Sequence, residues 1–431
     1  MRPRCGLKVL FIPAMLFGCG SPDAPQSAPE ISSAANQQSA GIRENSGISV
    51  TLALDSAADL PADGSTVPAL PPDPADDTPG VLIQRMRQLR DQRQSPTHSH
   101  ADDNKDNQVN RRRQRHLKIV ELASDVLSQT LDDSDQQAEF TEAIQHLLEA
   151  RYQLALSGGR EDMTQLYADV QALNDRDPNS VHAAEGIYSL ARFAHAKARL
   201  LGGSDPAWFE NFSRWAREFA DRFPEQEQRA VSLLFGAARS CELHALAAAS
   251  RAQSERLMTE AQMCYVQLVD HFGETKQAQE AAAVLRRLAL PGTRLSQFAG
   301  PALDGDYVDA EDFVDQVTVI YFWEIDNPEF VNQLLPLLQQ ADAVSDDQLR
   351  FIGVPLDQDE ARLRAFLKEH DLPGRQIFSP EAAQRSWNSP LIRFWGVSRC
   401  PTVWLVDGRG IVSAVDIGPS ELVDQMRILF R

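Results

Sequence analysis

Sulfur is scarce in this chain and badly spaced for redox or metal chemistry. Its five cysteines, Cys5, Cys19, Cys241, Cys264 and Cys400, include no pair at Cys-x-x-Cys spacing. That excludes a local dithiol motif and a zinc site built on cysteine pairs. Positive charge is also short: 42 Lys and Arg stand against 61 Asp and Glu, for a formal net charge of -19. Phosphate backbones would be repelled, so nucleic acid is not an expected partner. Beyond the first twenty residues no apolar run is long enough to span a bilayer. Histidines His182, His195, His244 and His271 are scattered, with no carboxylate cluster around them, and read as surface or packing residues. No pattern asks for a metal or an organic cofactor. What the chain does have is length, 431 residues, and 43% hydrophobic residues, enough for two or three domains with real cores.

Arg2, Arg4 and Lys8 precede a short apolar stretch, Val9 to Phe17, which reads as an export signal. It ends in Leu16-Phe17-Gly18-Cys19. This resembles the lipobox of bacterial lipoproteins, with Phe17 where that family usually has a small residue. The resemblance implies a signal peptide over 1–18 and lipid attachment at Cys19. It places the chain in the bacterial cell envelope, anchored on the periplasmic side. Gly20 is not an acidic retention residue, which points to the outer membrane.

Residues 19–110 are rich in Ser, Ala, Pro, Asp and Gln, as in SPDAPQSAP and LPPDPADDTP. Large apolar side chains are too sparse to offset chain entropy, so a disordered tether is expected, with one short helix over Val81–Leu89. Arg111–Arg113 and Arg115 form a basic cluster that suits either a solvated helix start or contact with an anionic surface.

From 111 to 290 apolar residues recur three and four apart, as in Leu117, Val120, Ala123, Val126 and Leu127. Asp177-Pro178, Phe223-Pro224 and Phe272-Gly273 interrupt the pattern. The segments around them, WAREFADRFPEQEQRAVSLLFGAA and CYVQLVDHFGETKQAQEAAAVLRRL, share one scheme: aromatic, acidic, aromatic, breaker, alanine-rich helix. Breaks every 45–50 residues or so indicate repeated helical hairpins. The pattern resembles tetratricopeptide-type hairpins, with a longer period, and implies a protein-binding role. Cys241 and Cys264 fall on consecutive helices at similar distances from the turn. They suit either a disulfide or two buried thiols.

At Pro291 the pattern changes. VTVIYF (Val317–Phe322), FIGVPL (Phe351–Leu356) and TVWLV (Thr402–Val406) read as buried strands. Asn327–Ala341, Glu360–Glu369 and Leu422–Phe430 read as helices, and Asp407-Gly408-Arg409-Gly410 as a tight turn leading to a partner strand, Ile411–Val415. The expected fold is thus a helical-hairpin domain followed by an α/β domain with a mixed central sheet, over 291–431. FAGPALDGDYVD, Tyr321-Phe322-Trp323, Ile352-Gly353-Val354 and Gly396-Val397-Ser398-Arg399-Cys400-Pro401-Thr402 together resemble the exported thioredoxin-like family of TlpA- and ResA-type reductases and redoxins. The resemblance implies a cis-Pro401 facing the active site.

The family's catalytic cysteines have no counterpart. Counting from Trp323, their positions fall on Asn327 and Phe330; counting back from Pro336, on Pro328 and Val331. Thiol–disulfide exchange needs an attacking thiolate and a second thiol to resolve the mixed disulfide, and these residues supply neither. Asp326 and Glu324 would interact with the helix dipole. Cys400 remains, either a pocket-filling side chain or the thiol of a one-cysteine oxidoreductase or peroxide-reactive redoxin. The expectation is a lipid-anchored interaction module for protein or peptide partners, with the Cys400 enzyme as its rival.

Overall fold

The computed structural model describes residues 78–91, 105–131, 133–248, 250–344 and 349–429. The signal segment, Cys19 and most of the tether lie outside them. Among the described residues no helix is long and apolar enough to cross a membrane.

Among the described residues nine α-helices form the first part: α1 (Pro79–Asp91), α2 (Lys105–Thr130), α3 (Gln137–Ser157), α4 (Arg160–Arg176), α5 (Val181–Leu201), α6 (Ala207–Arg222), α7 (Glu227–Leu246), α8 (Arg251–Phe272) and α9 (Lys276–Leu288). Consecutive helices pack as hairpins; α1 also touches α3, α3 touches α5 and α7 touches α9, while α5 and α7 are linked through Arg229 and Glu185. The breaks act as expected. Arg176 ends α4 just before Asp177-Pro178, where the ring disfavours helix at the preceding residue. Ser180, Ser250 and Thr275 then cap α5, α8 and α9, each accepting from a backbone N–H three residues on. The expected helix at Val81–Leu89 exists, but it belongs to the packed body and not to a tether. Leu82, Ile83 and Met86 are buried against Ile119, Val126 and Leu147, because the apolar residues of α1 recur on one face. The helical layer therefore starts before residue 111.

Three Arg–Glu pairs form a ladder along the odd-numbered helices. Arg192 on α5 donates to Glu149 on α3 (2.9 Å), 43 residues earlier. Arg229 on α7 donates to Glu185 on α5 (2.6 Å), 44 residues earlier. Arg287 on α9 donates to Glu242 on α7, 45 residues earlier. In the first two rungs a tyrosine three residues after the glutamate, Tyr152 or Tyr188, lies under the arginine, 4.5 and 4.6 Å from ring centroid to guanidinium.

The second part is the α/β domain. A short hairpin, β1 (Gly300–Pro301) and β2 (Tyr307–Val308), precedes β3 (Val317–Trp323), α10 (Leu335–Val344), β4 (Leu349–Pro355), α11 (Glu360–Glu369), β5 (Arg375–Gln376), α12 (Pro390–Trp395), β6 (Thr402–Val406), β7 (Val412–Ile417) and α13 (Pro419–Leu429). The five-stranded order is β5-β4-β3-β6-β7. β3, β4 and β5 run parallel, while β6 is antiparallel to β3 and β7. Side chains alternate across it. Ile320, Phe322, Ile352, Val354 and Trp404 form one core; Val319, Tyr321, Trp323, Phe351 and Leu405 form the other. Burial on both faces explains why the strands read as unbroken apolar runs. This is the mixed-sheet, thioredoxin-like architecture that the sequence pointed to.

The two parts meet at a buried charge network. Arg287 is 0% exposed and Glu242 1%. The guanidinium of Arg287 also donates to the Gly396 carbonyl and to Ser398 Oγ (3.4 Å). Its Nε lies 2.9 Å from Asp416 Oδ2, a charge contact off the N–H axis that leaves Nε without a hydrogen bond. Tyr265 donates to the other oxygen of Glu242 (2.6 Å). Gly396 ends α12 at φ 58° with its Cα against α9; a Cβ there would stand 2.5 Å from Val284 N. Only glycine meets both demands.

Candidate functional site

Strand β3 ends at Trp323, and the chain turns through Glu324, Ile325 and Asp326 to Asn327 before helical turns over 328–344. Buried Trp323 stacks on buried Phe330 at 4.8 Å between ring centroids. Phe330 is thus a core residue, and its side chain points away from any surface chemistry. Pro328 is exposed in the first turn of the helix and Val331 is half-buried on it.

Asn327 sits at the head of this helix. Its Oδ1 accepts from the backbone N–H of Glu329 (2.9 Å) and Phe330 (3.1 Å). This caps a helix start that has otherwise unsatisfied donors. Its Nδ2 donates to the Cys400 carbonyl (2.9 Å). One amide therefore ties the helix head to the loop before Pro401, whose peptide bond with Cys400 is cis, as the resemblance implied. The expectation that Asp326 and Glu324 serve the helix dipole needs correction. Asp326 forms a forked pair with Arg362 on α11, and Glu324 accepts from Trp387 Nε1 (3.0 Å). An amide does the capping because it can accept from the helix and donate to the loop together, which a carboxylate cannot.

Cys400 is half-buried, with Sγ 3.7 Å from the Phe322 carbonyl. Burial pushes its thiol well above the usual range, and Glu324, Asp357 and Glu329 add to that by repelling a thiolate; Arg399 opposes them only partly. This is the reverse of the electropositive setting that makes a cysteine nucleophilic. Asp357, two residues past the end of β4, accepts from Ile325 N (3.2 Å), and burial pushes its carboxyl up to about 6. That shift was not legible in the sequence, since it depends on the turn folding over Asp357.

Cys241 and Cys264 are free and fully buried, so the disulfide alternative is not what the structure holds. Cys264 Sγ lies 3.2 Å from Ser213 Oγ, and burial pushes its thiol up to about 11. Among the described residues no group of His, Cys, Asp and Glu could hold a metal ion. His195 stacks on Phe212 and His244 packs over Phe209. The Glu–Arg ladder was missed, although Glu-x-x-Tyr with an Arg 43 or 44 residues after the Glu is present for its first two rungs.

Residues 315–412 match the Thioredoxin_8 family, described as thioredoxin-like. No curated protein matches the chain. Among solved structures, the thioredoxin domain of a thiol-disulfide oxidoreductase from Bacteroides vulgatus is 18% identical, with a TM-score of 0.29, over 33% of this chain and 98% of that one. A thiol-disulfide oxidoreductase from Bacteroides fragilis is 19% identical, with a TM-score of 0.28, over 32% of this chain and 99% of its own. A thiol:disulfide interchange protein of the thioredoxin family from Chlorobium tepidum is 15% identical, with a TM-score of 0.28, over 32% and 97%.

Proposed function

We propose that this chain is an extracytoplasmic, lipid-anchored protein whose thioredoxin-like domain has lost thiol–disulfide turnover and serves, with the helical repeats, as a protein-interaction module. The observation that carries the reading is Asn327. Where an exchange enzyme needs a thiol at the helix head, this chain has an amide engaged on both sides, by the helix N–H groups and by the Cys400 carbonyl. The same bond occupies an acceptor in the loop that the family uses to pair with bound peptide. That shifts the weight of partner binding toward the stacked hairpins. The signal segment and Cys19 support the anchor and the envelope location on sequence grounds.

The rival, a one-cysteine enzyme, would need Cys400 as a thiolate, and its acidic, partly buried setting works against that. Insulin reduction by the full chain tests the reading, with Cys400→Ser alongside. No turnover above the uncatalysed rate is expected for either protein. Turnover that Cys400→Ser abolishes would replace the interaction reading with the enzymatic one.

A further inference from the structure

The helical part encloses a cavity of about 440 Å³ between α1, α2, α3, α5 and α7, within the size range of ligand pockets. Arg90, Arg115, Arg192 and Arg229 line it, against Glu149 and Glu185. A local excess of arginine in a chain of net charge -19 marks this surface off from the rest.

The arginines are held but not used up. Arg192 spends one hydrogen bond on Glu149, and its plane rests on Tyr152. Arg229 bonds Glu185 and Gln226 through one nitrogen and rests on Tyr188. A guanidinium has five N–H donors in a rigid fork, so most donors of both remain for a ligand, already oriented. Arg90 is exposed at the end of α1. Beneath them His146 is 5% exposed, and its Nε2 has no hydrogen-bond partner, the nearest carboxylate oxygen of Glu142 being 3.5 Å away and misdirected. Burial and the charge of Arg90 push His146 below its ordinary range, which keeps a neutral ring at the wall.

We infer that this cavity binds an acidic peptide segment of a partner protein, its carboxylates seated on Arg90, Arg192 and Arg229. The inference rests on the interaction-module reading and names its partner chemistry. Carboxylate fits the guanidinium forks as paired hydrogen bonds. Glu149 and Glu185 beside the guanidinium groups favour a peptide, because they can accept from its backbone N–H groups, donors that a bare phosphate ion lacks.

The test uses the full chain carrying Cys19→Ser to prevent lipidation, with fluorescein-labelled hexaglutamate, hexaglutamine and hexalysine followed by anisotropy. Hexaglutamate should bind at least tenfold tighter than the other two, and weaken as salt rises from 20 to 200 mM (ranges set by screening, about 10 Å at 0.1 M). Arg90→Glu, an exposed change that spares the fold, and Arg192→Gln should each weaken it tenfold or more, while Arg214→Glu on α6, away from the cavity, should not. Binding that ignores Arg90→Glu and Arg192→Gln, or that inorganic phosphate displaces as readily as unlabelled hexaglutamate, would overturn the assignment. No hexaglutamate binding, with insulin turnover still absent, removes the cavity ligand and leaves the non-catalytic reading in place. Insulin turnover removes that reading independently of the cavity.

Discussion

Replacing Arg287 by methionine is the sharpest perturbation of the junction between the two parts. Arg287 is fully buried and faces Glu242 and Asp416, both at least nine-tenths buried. Methionine keeps most of the volume and removes the charge. Glu242 retains Tyr265 and Ser398 as donors, and Arg239 at 3.3 Å, but Asp416 loses its nearest cation. Breaking a buried pair from one side costs about 3–5 kcal/mol, because the abandoned charge stays desolvated. Out of a stability of about 5–15 kcal/mol for a typical domain that is a large fraction. Urea unfolding followed by tryptophan fluorescence and far-ultraviolet circular dichroism should show a midpoint lower by about 1 M or more. The two probes should separate in part, because four of the six tryptophans, Trp323, Trp387, Trp395 and Trp404, lie in the α/β domain, with Trp208 and Trp215 on α6, while the dichroism is mostly helical. Arg287→Met with Glu242→Gln and Asp416→Asn removes all three charges and should recover most of the loss, since a neutral core can match a buried ion cluster. A cost below about 1 kcal/mol for Arg287→Met alone, with coincident probes, would refute the claim that this network joins the parts.

Asn327→Ala should cost about 1–2 kcal/mol through loss of a helix cap and a loop bond, read by thermal unfolding; Asn327→Asp keeps the cap and should lose roughly half as much. Asp357→Asn should raise the melting temperature at pH 7. The folded-state carboxyl titrates near 6 and the unfolded one near 3.8, so the native protein holds the extra proton between those values and loses stability as pH rises through them. The advantage of Asp357→Asn should therefore shrink as pH falls from 6 to 4 and stay flat below; an advantage that grows on acidification would contradict the assignment. Iodoacetamide should modify Cys400 at pH 7 far more slowly than it modifies glutathione, and a rate matching a low-pKa thiol would show that the acidic neighbours do not govern it.

The strands were legible because each is buried on both faces. Val317–Phe322 is apolar but for the β-branched Thr318, and the structure extends it only by Trp323. Helix Glu360–Glu369 has the bounds its amphipathic pattern indicated, since Asp359 caps it and Leu363 anchors it. Short elements were not legible. β5 is two residues long, Arg375–Gln376, and exists through pairing with β4, while α12 is six residues held by Pro390 at one end and Gly396 at the other. In the site, the absence of paired cysteines was plain from the sequence. The double engagement of Asn327 was not, because it joins residues 73 apart in the chain. The place of α1 in the packed body was equally hidden: its neighbours in sequence are polar, and its partners on α2 and α3 lie far along the chain.

The ladder also gives the thioredoxin-like domain a structural role that needs no paired thiols. A stack of helical hairpins ends on a face that wants another repeat, and such stacks need caps. In the first two rungs the arginine sits at the protein surface, with 37% and 40% of its side chain exposed. In the third, Glu242–Arg287, exposure falls to 1% and 0%. The difference is made by Asp416, Ser398 and the Gly396 carbonyl, all supplied by the α/β domain. The position that would meet a further hairpin meets the loop leading to cis-Pro401 instead. A sheet domain that closes the stack therefore has a packing role, carried by Asp416, Ser398 and the Gly396 carbonyl, that does not depend on paired thiols.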